Sequence, residues 1–212
     1  TMVHDPSAAL AEWGEPAATA TVAVLAVHGR GLSPEWMREA SARFAAAPTR
    51  FFAPAAAGGT WYPHPFQRPR EENEPALTSA LAVVDAAHER IARVGFPPAR
   101  IVVWGFSQGA CLLSDWLLSR EPTAGSALLF TGGFLAAEPP AASVAGTPAR
   151  RVVMRSISED PFVPADRVRQ TAAELRRRGS DVDVRIDPGI EHIISDEAFA
   201  TGSALIAEAG SI

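Results

Sequence analysis

The sequence predicts a doubly wound α/β fold, in which a mostly parallel β-sheet carries helices on both faces. Short apolar and β-branched stretches alternate with longer stretches of helical periodicity along the 212 residues. The first apolar stretch, residues 19–27, is nearly continuous, as expected of a strand that is buried on both faces of a parallel sheet. Since the sequence has no repeat and no low-complexity linker, we expect residues 1–212 to form a single domain without a large cap domain.

The predicted elements follow one another in a regular order. Residues 1–18 show no clear periodicity and are expected to be an irregular lead-in, anchored by Trp13. In a sheet of this kind the ligand site lies beyond the carboxyl ends of the strands. Strands are expected near residues 19–27, 51–56, 101–104, 127–130, 151–155 and 182–186, and helices near residues 34–47, 75–94, 110–121, 165–178 and from 195 onward.

Residues 58–73 form a long segment that is rich in proline, aromatic residues and arginine and has no strand or helix period. Long irregular loops in compact domains are often functional, so we expect this rim loop to border the site. Trp61 and Phe66 of the rim loop, with Phe134 from a later strand end, are candidates for an apolar substrate pocket. The same three rings are equally suited to the hydrophobic core.

Composition excludes several classes of function. The net charge of -5 and the pI near 5.5 argue against nucleic acid as a partner. All 19 basic residues are arginine, which excludes a Schiff-base lysine, a phosphate-loop lysine and a serine-lysine dyad. The single cysteine, Cys111, excludes an internal disulfide and a cysteine-rich metal site, and we expect it to be a buried apolar residue.

The location of the protein is also an expectation from composition. The apolar run at residues 19–27 is too short to span a bilayer, and no cationic segment precedes it. We therefore expect a cytoplasmic protein with no membrane span.

The segment at residues 101–110 reads I-V-V-W-G-F-S-Q-G-A and predicts a strand, a sharp turn and a helix with Ser107 at the apex. Gly105 and Gly109 flank Ser107 with the spacing of a nucleophile elbow, where any Cβ would press the helix against the strand. The peptide N–H groups at such a helix start can stabilise negative charge. Alone, this short pattern equally suits a turn whose serine only caps the helix.

Other strand ends supply the partners that a nucleophilic serine needs. Ser107, Asp160 and His192 each follow a predicted strand and occur in the order serine, acid, histidine. Of the five histidines, His192 is the best placed to accept the serine proton, and Asp160 would orient it, with Glu159 as the adjacent alternative. The backbone N–H groups of Arg30, in the turn H-G-R-G, and of Gln108 would form the oxyanion hole.

These motifs together resemble the phospholipase/carboxylesterase family of small α/β-hydrolases, which includes the acyl-protein thioesterases. The most specific parts are G-F-S-Q-G-A and D-P-F-V-P, and the resemblance extends from about residue 19 to near the end of the chain. It implies a capless serine esterase with Ser107 as nucleophile, Asp160 as acid and His192 as base. The chain departs from the family pattern at Leu32, Ile157 and Glu191.

The sequence therefore predicts a carboxylesterase that cleaves small or medium acyl esters through an acyl-enzyme, without a metal or an organic cofactor. A small-molecule ester is the expected partner, and a homodimer is left open. Charge from Arg30 and Glu191 at the mouth would favour a small ester over a long-chain lipid. A thioesterase or acyltransferase would use the same residues, and a catalytically silent binding module is the alternative from a different class.

Overall fold

The computed structural model describes residues 2–45, 47–120, 125–141 and 148–212. Its sheet has seven strands in the order β1-β3-β2-β4-β5-β6-β7, all parallel except β1, which pairs antiparallel with β3. The predicted doubly wound, mostly parallel sheet is confirmed. The strands are β1 (Ala11–Gly14), β2 (Val22–Val27), β3 (Thr49–Ala53), β4 (Ile101–Phe106), β5 (Ser126–Phe130), β6 (Arg151–Ile157) and β7 (Asp181–Asp187).

Helices cover both faces of this sheet because its strands bury side chains on both sides. In β2, Ala23 and Leu25 pack into one core cluster, while Val22 and Val24 pack into the other. The first cluster lies under α2, α3 and α4, and the second lies under α1 and α5. The helices are α1 (Pro34–Ser41), α2 (Ala76–Val94), α3 (Gln108–Ser119), α4 (Ala165–Arg177) and α5 (Asp196–Gly210).

The lead-in at residues 1–18 differs from the irregular segment expected there, because it contains strand β1. Trp13 of β1 stacks on Phe51 of β3 with ring centroids 5.3 Å apart, and its indole N–H donates to Ser41 Oγ at 2.9 Å. The four residues of β1, A-E-W-G, contain no β-branched residue and end in glycine, so they carry little strand propensity. Pairing with β3 and the packing of one tryptophan hold this edge strand.

Two further differences concern helix and loop boundaries. Helix α1 ends at Ser41, six residues before the expected end at residue 47. The rim loop is interrupted by two short 3-10 turns, Ala57–Gly59 and Arg70–Asn73, but is otherwise irregular as expected. Over the described ranges, no helix is long and apolar enough to cross a bilayer.

Candidate active site

Ser107 lies at the carboxyl end of the central strand β4, directly before α3. Its backbone has φ 55° and ψ -121°, a region that a residue with a side chain adopts only when the surrounding structure enforces it. Two hydrogen bonds enforce it here: Ser107 N–H donates to Phe130 O at 3.0 Å, and Cys111 N–H donates to Ser107 O at 2.9 Å. The turn therefore holds the hydroxyl in a half-buried position above the sheet.

The two glycines that flank Ser107 allow α3 to approach the sheet closely. A Cβ on Gly109 would lie 2.1 Å from Val27 O of β2, and a Cβ on Gly105 would lie 2.7 Å from Ala110 N. Both neighbours are backbone atoms, which cannot rotate away as a flexible side chain could. The sequence pattern G-F-S-Q-G is thus a packing requirement of this strand-to-helix turn.

We expect Gly109→Ala to lower the free energy of unfolding by more than about 3 kcal/mol, because the clash with Val27 O requires α3 to move off the sheet. Urea denaturation followed by circular dichroism measures the change. Gly58→Ala is the matched control, since its added Cβ meets no atom within 4 Å and carries only the cost of φ 62°, about 1–2 kcal/mol. Equal losses in the two variants would contradict the packing role of Gly109.

Ser107, His192 and Asp160 form a continuous hydrogen-bonded chain. His192 Nε2 lies 2.7 Å from Ser107 Oγ, and His192 Nδ1 lies 2.6 Å from Asp160 Oδ2. An ionised carboxylate only accepts hydrogen bonds, so Nδ1 carries the proton and the Nε2 lone pair faces the serine hydroxyl. This is the arrangement in which an imidazole can remove a proton from a serine.

The side chain of Asp160 is fully buried and is held in place from both sides. Its Oδ1 accepts the backbone N–H groups of Phe162 and Val163, each at 2.8 Å, while Oδ2 faces His192. The motif D-P-F-V-P therefore makes a turn that fixes its own first side chain. Glu159, the alternative acid, is exposed.

Two aromatic rings pack against the His192 imidazole. The ring centroid of Phe106 lies 5.1 Å from that of His192, and the ring centroid of Phe162 lies 4.9 Å from it. Phe106 is buried, whereas Phe162 is 63% exposed, which makes it one of the most exposed large apolar side chains described. The two rings restrict the rotation of the imidazole away from Ser107.

The turn H-G-R-G follows β2 and is built around the buried imidazole of His28. His28 Nε2 accepts the N–H of Ala56 at 3.1 Å, so Nδ1 carries the proton and donates to Gly29 O at 2.7 Å. The carbonyl of His28 accepts the indole N–H of Trp61 at 2.8 Å. These contacts join the turn to the segment after β3 and to the rim loop. Both ring nitrogens of His28 are therefore used in structural hydrogen bonds.

The stability of the fold is expected to depend on the neutral state of His28. Burial lowers the pKa of this imidazole below its ordinary 6.5, only partly offset by the hydrogen bond to Gly29 O. Below pH 6.5 the unfolded chain binds a proton that the folded chain excludes, so stability present above that pH is lost as the pH falls towards the lowered folded-state pKa. For one proton the limiting slope is about 1.4 kcal/mol per pH unit.

Urea denaturation at closely spaced pH values between 5 and 7 measures this slope in the wild type and in His28→Gln. Glutamine can still accept the Ala56 N–H but does not titrate, so the variant should lose the His28 part of the slope. The same slope in both proteins would show that another group is responsible.

The predicted oxyanion donors, Arg30 and Gln108, both line the cavity that Ser107 lines. Gln108 is the first residue of α3, where the peptide N–H has no acceptor within its own helix. Arg30 lies in the turn after β2, the strand that pairs with β4. A Cβ on Gly29 would lie 3.2 Å from Ser107 Cβ, so the turn lies against the serine.

The side chains of these two residues hold the rim loop. The Gln108 amide accepts Trp61 N–H and donates to Tyr62 O, both at 2.9 Å. The Arg30 guanidinium donates to Tyr62 O at 2.9 Å, Pro63 O at 3.0 Å and His64 O at 3.3 Å. Its charge is therefore engaged by carbonyl groups, and the rim loop is attached both to the turn after β2 and to the start of α3.

A cavity of about 480 Å³ opens beside Ser107. The three candidate rings, Trp61, Phe66 and Phe134, are all buried in the core cluster under α2, α3 and α4, but only Phe66 also lines the cavity. The expectation that Trp61 and Phe134 line the pocket is corrected. Trp61 points inward because its indole N–H donates a hydrogen bond to the carbonyl of His28. The cavity is lined by Arg30, Tyr62, Pro63, Pro65, Phe66, Gln67, Ser107, Gln108, Cys111, Phe162, Val163 and His192.

Sequence reasoning missed Tyr62, Phe162 and Cys111 as cavity residues. Phe162 could have been found, because it lies two positions after Asp160 in the turn that faces His192. Cys111 lies one helical turn after Ser107, and its burial raises the pKa of the thiol to about 11, so it stays protonated beside the serine. Glu191, expected at the mouth, is exposed and is not among the lining residues.

Within the ranges that the structure describes, no three histidine, cysteine or carboxylate side chains lie close enough together to hold a metal ion.

The fold of this chain is similar to that of solved esterase structures. No model of a known protein family matches the sequence, and no curated protein matches it. A phospholipase/carboxylesterase from Dyadobacter fermentans superimposes with a TM-score of 0.85 at 29% identity, covering 97% of this chain and 99% of that one. The esterase PE8 gives a TM-score of 0.76 at 26% identity, over 94% and 98% of the two chains.

A carboxylesterase from Mesorhizobium loti has the same fold, with a TM-score of 0.75 at 22% identity over 93% of each chain. The resemblance to the phospholipase/carboxylesterase family that the motifs predict is confirmed by these structures.

Proposed function

We infer that this protein is a serine carboxylesterase that acts on small or medium acyl esters. The chain has the α/β-hydrolase fold and is similar to phospholipase/carboxylesterase structures. The similarity itself supports a hydrolase of this type. The observation that carries the finer proposal is the position of His192, whose two ring nitrogens lie 2.7 Å from Ser107 Oγ and 2.6 Å from Asp160 Oδ2.

In the proposed acylation step, His192 Nε2 removes the proton of Ser107 as Oγ attacks the ester carbonyl carbon. The carbonyl oxygen becomes an oxyanion that accepts the N–H groups of Arg30 and Gln108, each donor contributing about 3 kcal/mol to the lowering of the barrier. Asp160 stabilises the imidazolium. The intermediate then collapses, His192 returns the proton to the leaving oxygen, and the alcohol departs from an acyl-Ser107 ester.

Deacylation repeats the same transfers with water. His192 removes a proton from a water molecule as its oxygen attacks the acyl carbon, and the second oxyanion uses the same two N–H groups. Collapse returns the proton to Ser107 Oγ and releases the carboxylic acid. All proton transfers are thus assigned to side chains that lie within hydrogen-bonding distance of one another.

A fluorophosphonate probe with mass-spectrometric mapping tests the proposal. We expect covalent labelling at Ser107, and steady hydrolysis of p-nitrophenyl esters with a preference for short acyl chains. A protein that is neither labelled at Ser107 nor active on any ester in the series would be a binding module instead.

The thioesterase alternative uses the same residues and is separated by matched substrates. Oxygen esters and thioesters with the same acyl group are compared by their kcat/KM values, each corrected for the uncatalysed rate. A strong preference for thioesters would overturn the carboxylesterase assignment while leaving the serine mechanism in place. An acyltransferase would instead form a new ester when a second alcohol is added.

A further inference from the structure

A second cavity is also lined by His192. Its volume is about 810 Å³, compared with about 480 Å³ for the cavity beside Ser107. His192 lines both of them, so the two cavities meet at this residue. We call the second cavity the α1 groove; its wall is formed mainly by Leu32, Trp36, Ala40, Phe106, Ile193 and Phe199.

The α1 groove has an aromatic floor. The indole of Trp36 stacks on the ring of Phe106 with centroids 5.2 Å apart and an interplanar angle of 14°. Trp36 and Leu32 are only half-buried, so each presents apolar surface to the groove. Leu32 is one of the positions at which the chain departs from the family pattern, and the apolar side chain there extends the floor towards the turn that carries Arg30.

The main cation of the groove already has partners. The Arg43 guanidinium lies over the ring of Phe199, 4.1 Å from its centroid, and donates to Asp196 Oδ1 at 2.5 Å and to Ile194 O at 3.3 Å. Glu39 is exposed, and the Asp196 side chain is 99% exposed, so both carboxylates lie at the outer edge. The groove therefore suits an uncharged apolar group better than an anionic one.

We propose that the α1 groove binds the alcohol portion of the ester, and that this portion is an uncharged aromatic or alicyclic alcohol. The proposal rests on the proposed function and deepens it. The leaving oxygen must receive its proton from His192 Nε2, so the group bonded to that oxygen lies against the imidazole. The cavity that contains Ser107 and Gln108 then receives the acyl chain.

The relative sizes of the two spaces support this division. The α1 groove, of about 810 Å³, has room for the bulkier portion of a substrate, so we expect the alcohol portion to be bulkier than the acyl chain. A flat ring can pack against the Trp36 indole, an arrangement favourable beyond the area that it buries. Contacts with a part of the substrate that does not react can then raise kcat/KM.

Two butanoate esters test the proposal, one of ethanol and one of 2-(2-naphthyl)ethanol, whose leaving alcohols have similar acidity. The quantity measured is the ratio of kcat/KM for the naphthylethyl ester to kcat/KM for the ethyl ester. We expect Ala40→Phe, which fills the groove, to lower this ratio at least about tenfold. Arg38→Phe, on the exposed side of the same helix, adds the same ring outside the groove and should leave the ratio at the wild-type value.

A second variant and a binding measurement distinguish the loss of the groove from a folding defect. Trp36→Ala removes the aromatic floor and should lower the same ratio, with near-UV circular dichroism reporting whether each variant is folded. The free alcohol 2-(2-naphthyl)ethanol should inhibit hydrolysis of the ethyl ester by the wild type and do so more weakly in Ala40→Phe.

The outcomes separate this inference from the proposed function. If the ethyl ester is hydrolysed but the ratio is unchanged in both folded variants, the groove does not bind the alcohol and the inference is wrong. If neither ester is hydrolysed and Ser107 is not labelled by a fluorophosphonate, the proposed function is wrong and the inference falls with it.

Discussion

Replacement of Ser107 by alanine is expected to lower kcat for p-nitrophenyl butanoate by about 10⁶-fold, the loss found when a serine hydrolase loses its nucleophile. The described hydrogen bonds of the Ser107 hydroxyl lead to His192, and the strained backbone of the turn is held by main-chain contacts to Phe130 and Cys111. The variant should therefore keep the fold and lose the reaction. Initial rates after extensive purification, with thermal unfolding of the same sample, measure both.

Ser114→Ala is the matched control for this substitution. Ser114 lies on α3, the helix that follows Ser107, is fully buried, and donates its hydroxyl hydrogen to Ala110 O at 2.7 Å within that helix. Its loss should leave kcat within a few-fold of the wild type. Activity of Ser107→Ala above a few per cent of the wild type, or fluorophosphonate labelling at another residue, would rule out Ser107 as the nucleophile.

Asp160→Asn is expected to lower kcat by about 10⁴-fold while the protein remains folded. Asparagine keeps the shape of the side chain, and its oxygen can still accept the N–H groups of Phe162 and Val163. Its amide nitrogen would then face His192 Nδ1 and donate a hydrogen bond to it, which favours the imidazole tautomer with the proton on Nε2. In that tautomer His192 cannot accept the proton of Ser107.

Glu159→Gln is the control for the acid. Glu159 precedes Asp160 in the sequence and was the alternative acid, but it is exposed. The substitution should change kcat less than about twofold. If the glutamine variant lost as much activity as Asp160→Asn, the assignment of the acid to Asp160 would have to be given up.

The order and type of most of the elements could be predicted because strands buried on both faces are apolar over four or more residues, which is a strong local signal. Strand β1 could not be, because it is four residues long and owes its existence to pairing with β3. Predicting it would require knowing where Phe51 lies, since Trp13 stacks on that ring. Local sequence contains no such information.

The difference between local signals and distant partners also explains which parts of the site could be predicted from the sequence. Ser107, Asp160 and His192 each lie on a loop that leaves a strand, so the parallel sheet brings them to one edge, and the structure places them in one hydrogen-bonded chain. The inward or outward direction of a rim-loop ring depends instead on distant partners. Trp61 is turned inward by the carbonyl of His28, while Phe66, five residues later, faces the cavity.

The attachment of the rim loop to Gln108 and Arg30 limits how this protein can change its substrate range. The two residues whose N–H groups are proposed to hold the oxyanion are also those whose side chains hold Trp61 to His64 in place. A mutation that changes the conformation of this part of the loop should therefore displace the oxyanion donors. New specificity acquired in this way would lower kcat. The α1 groove contains neither residue. Selection for new substrates should accordingly succeed more readily through changes in α1 than through changes in the rim loop.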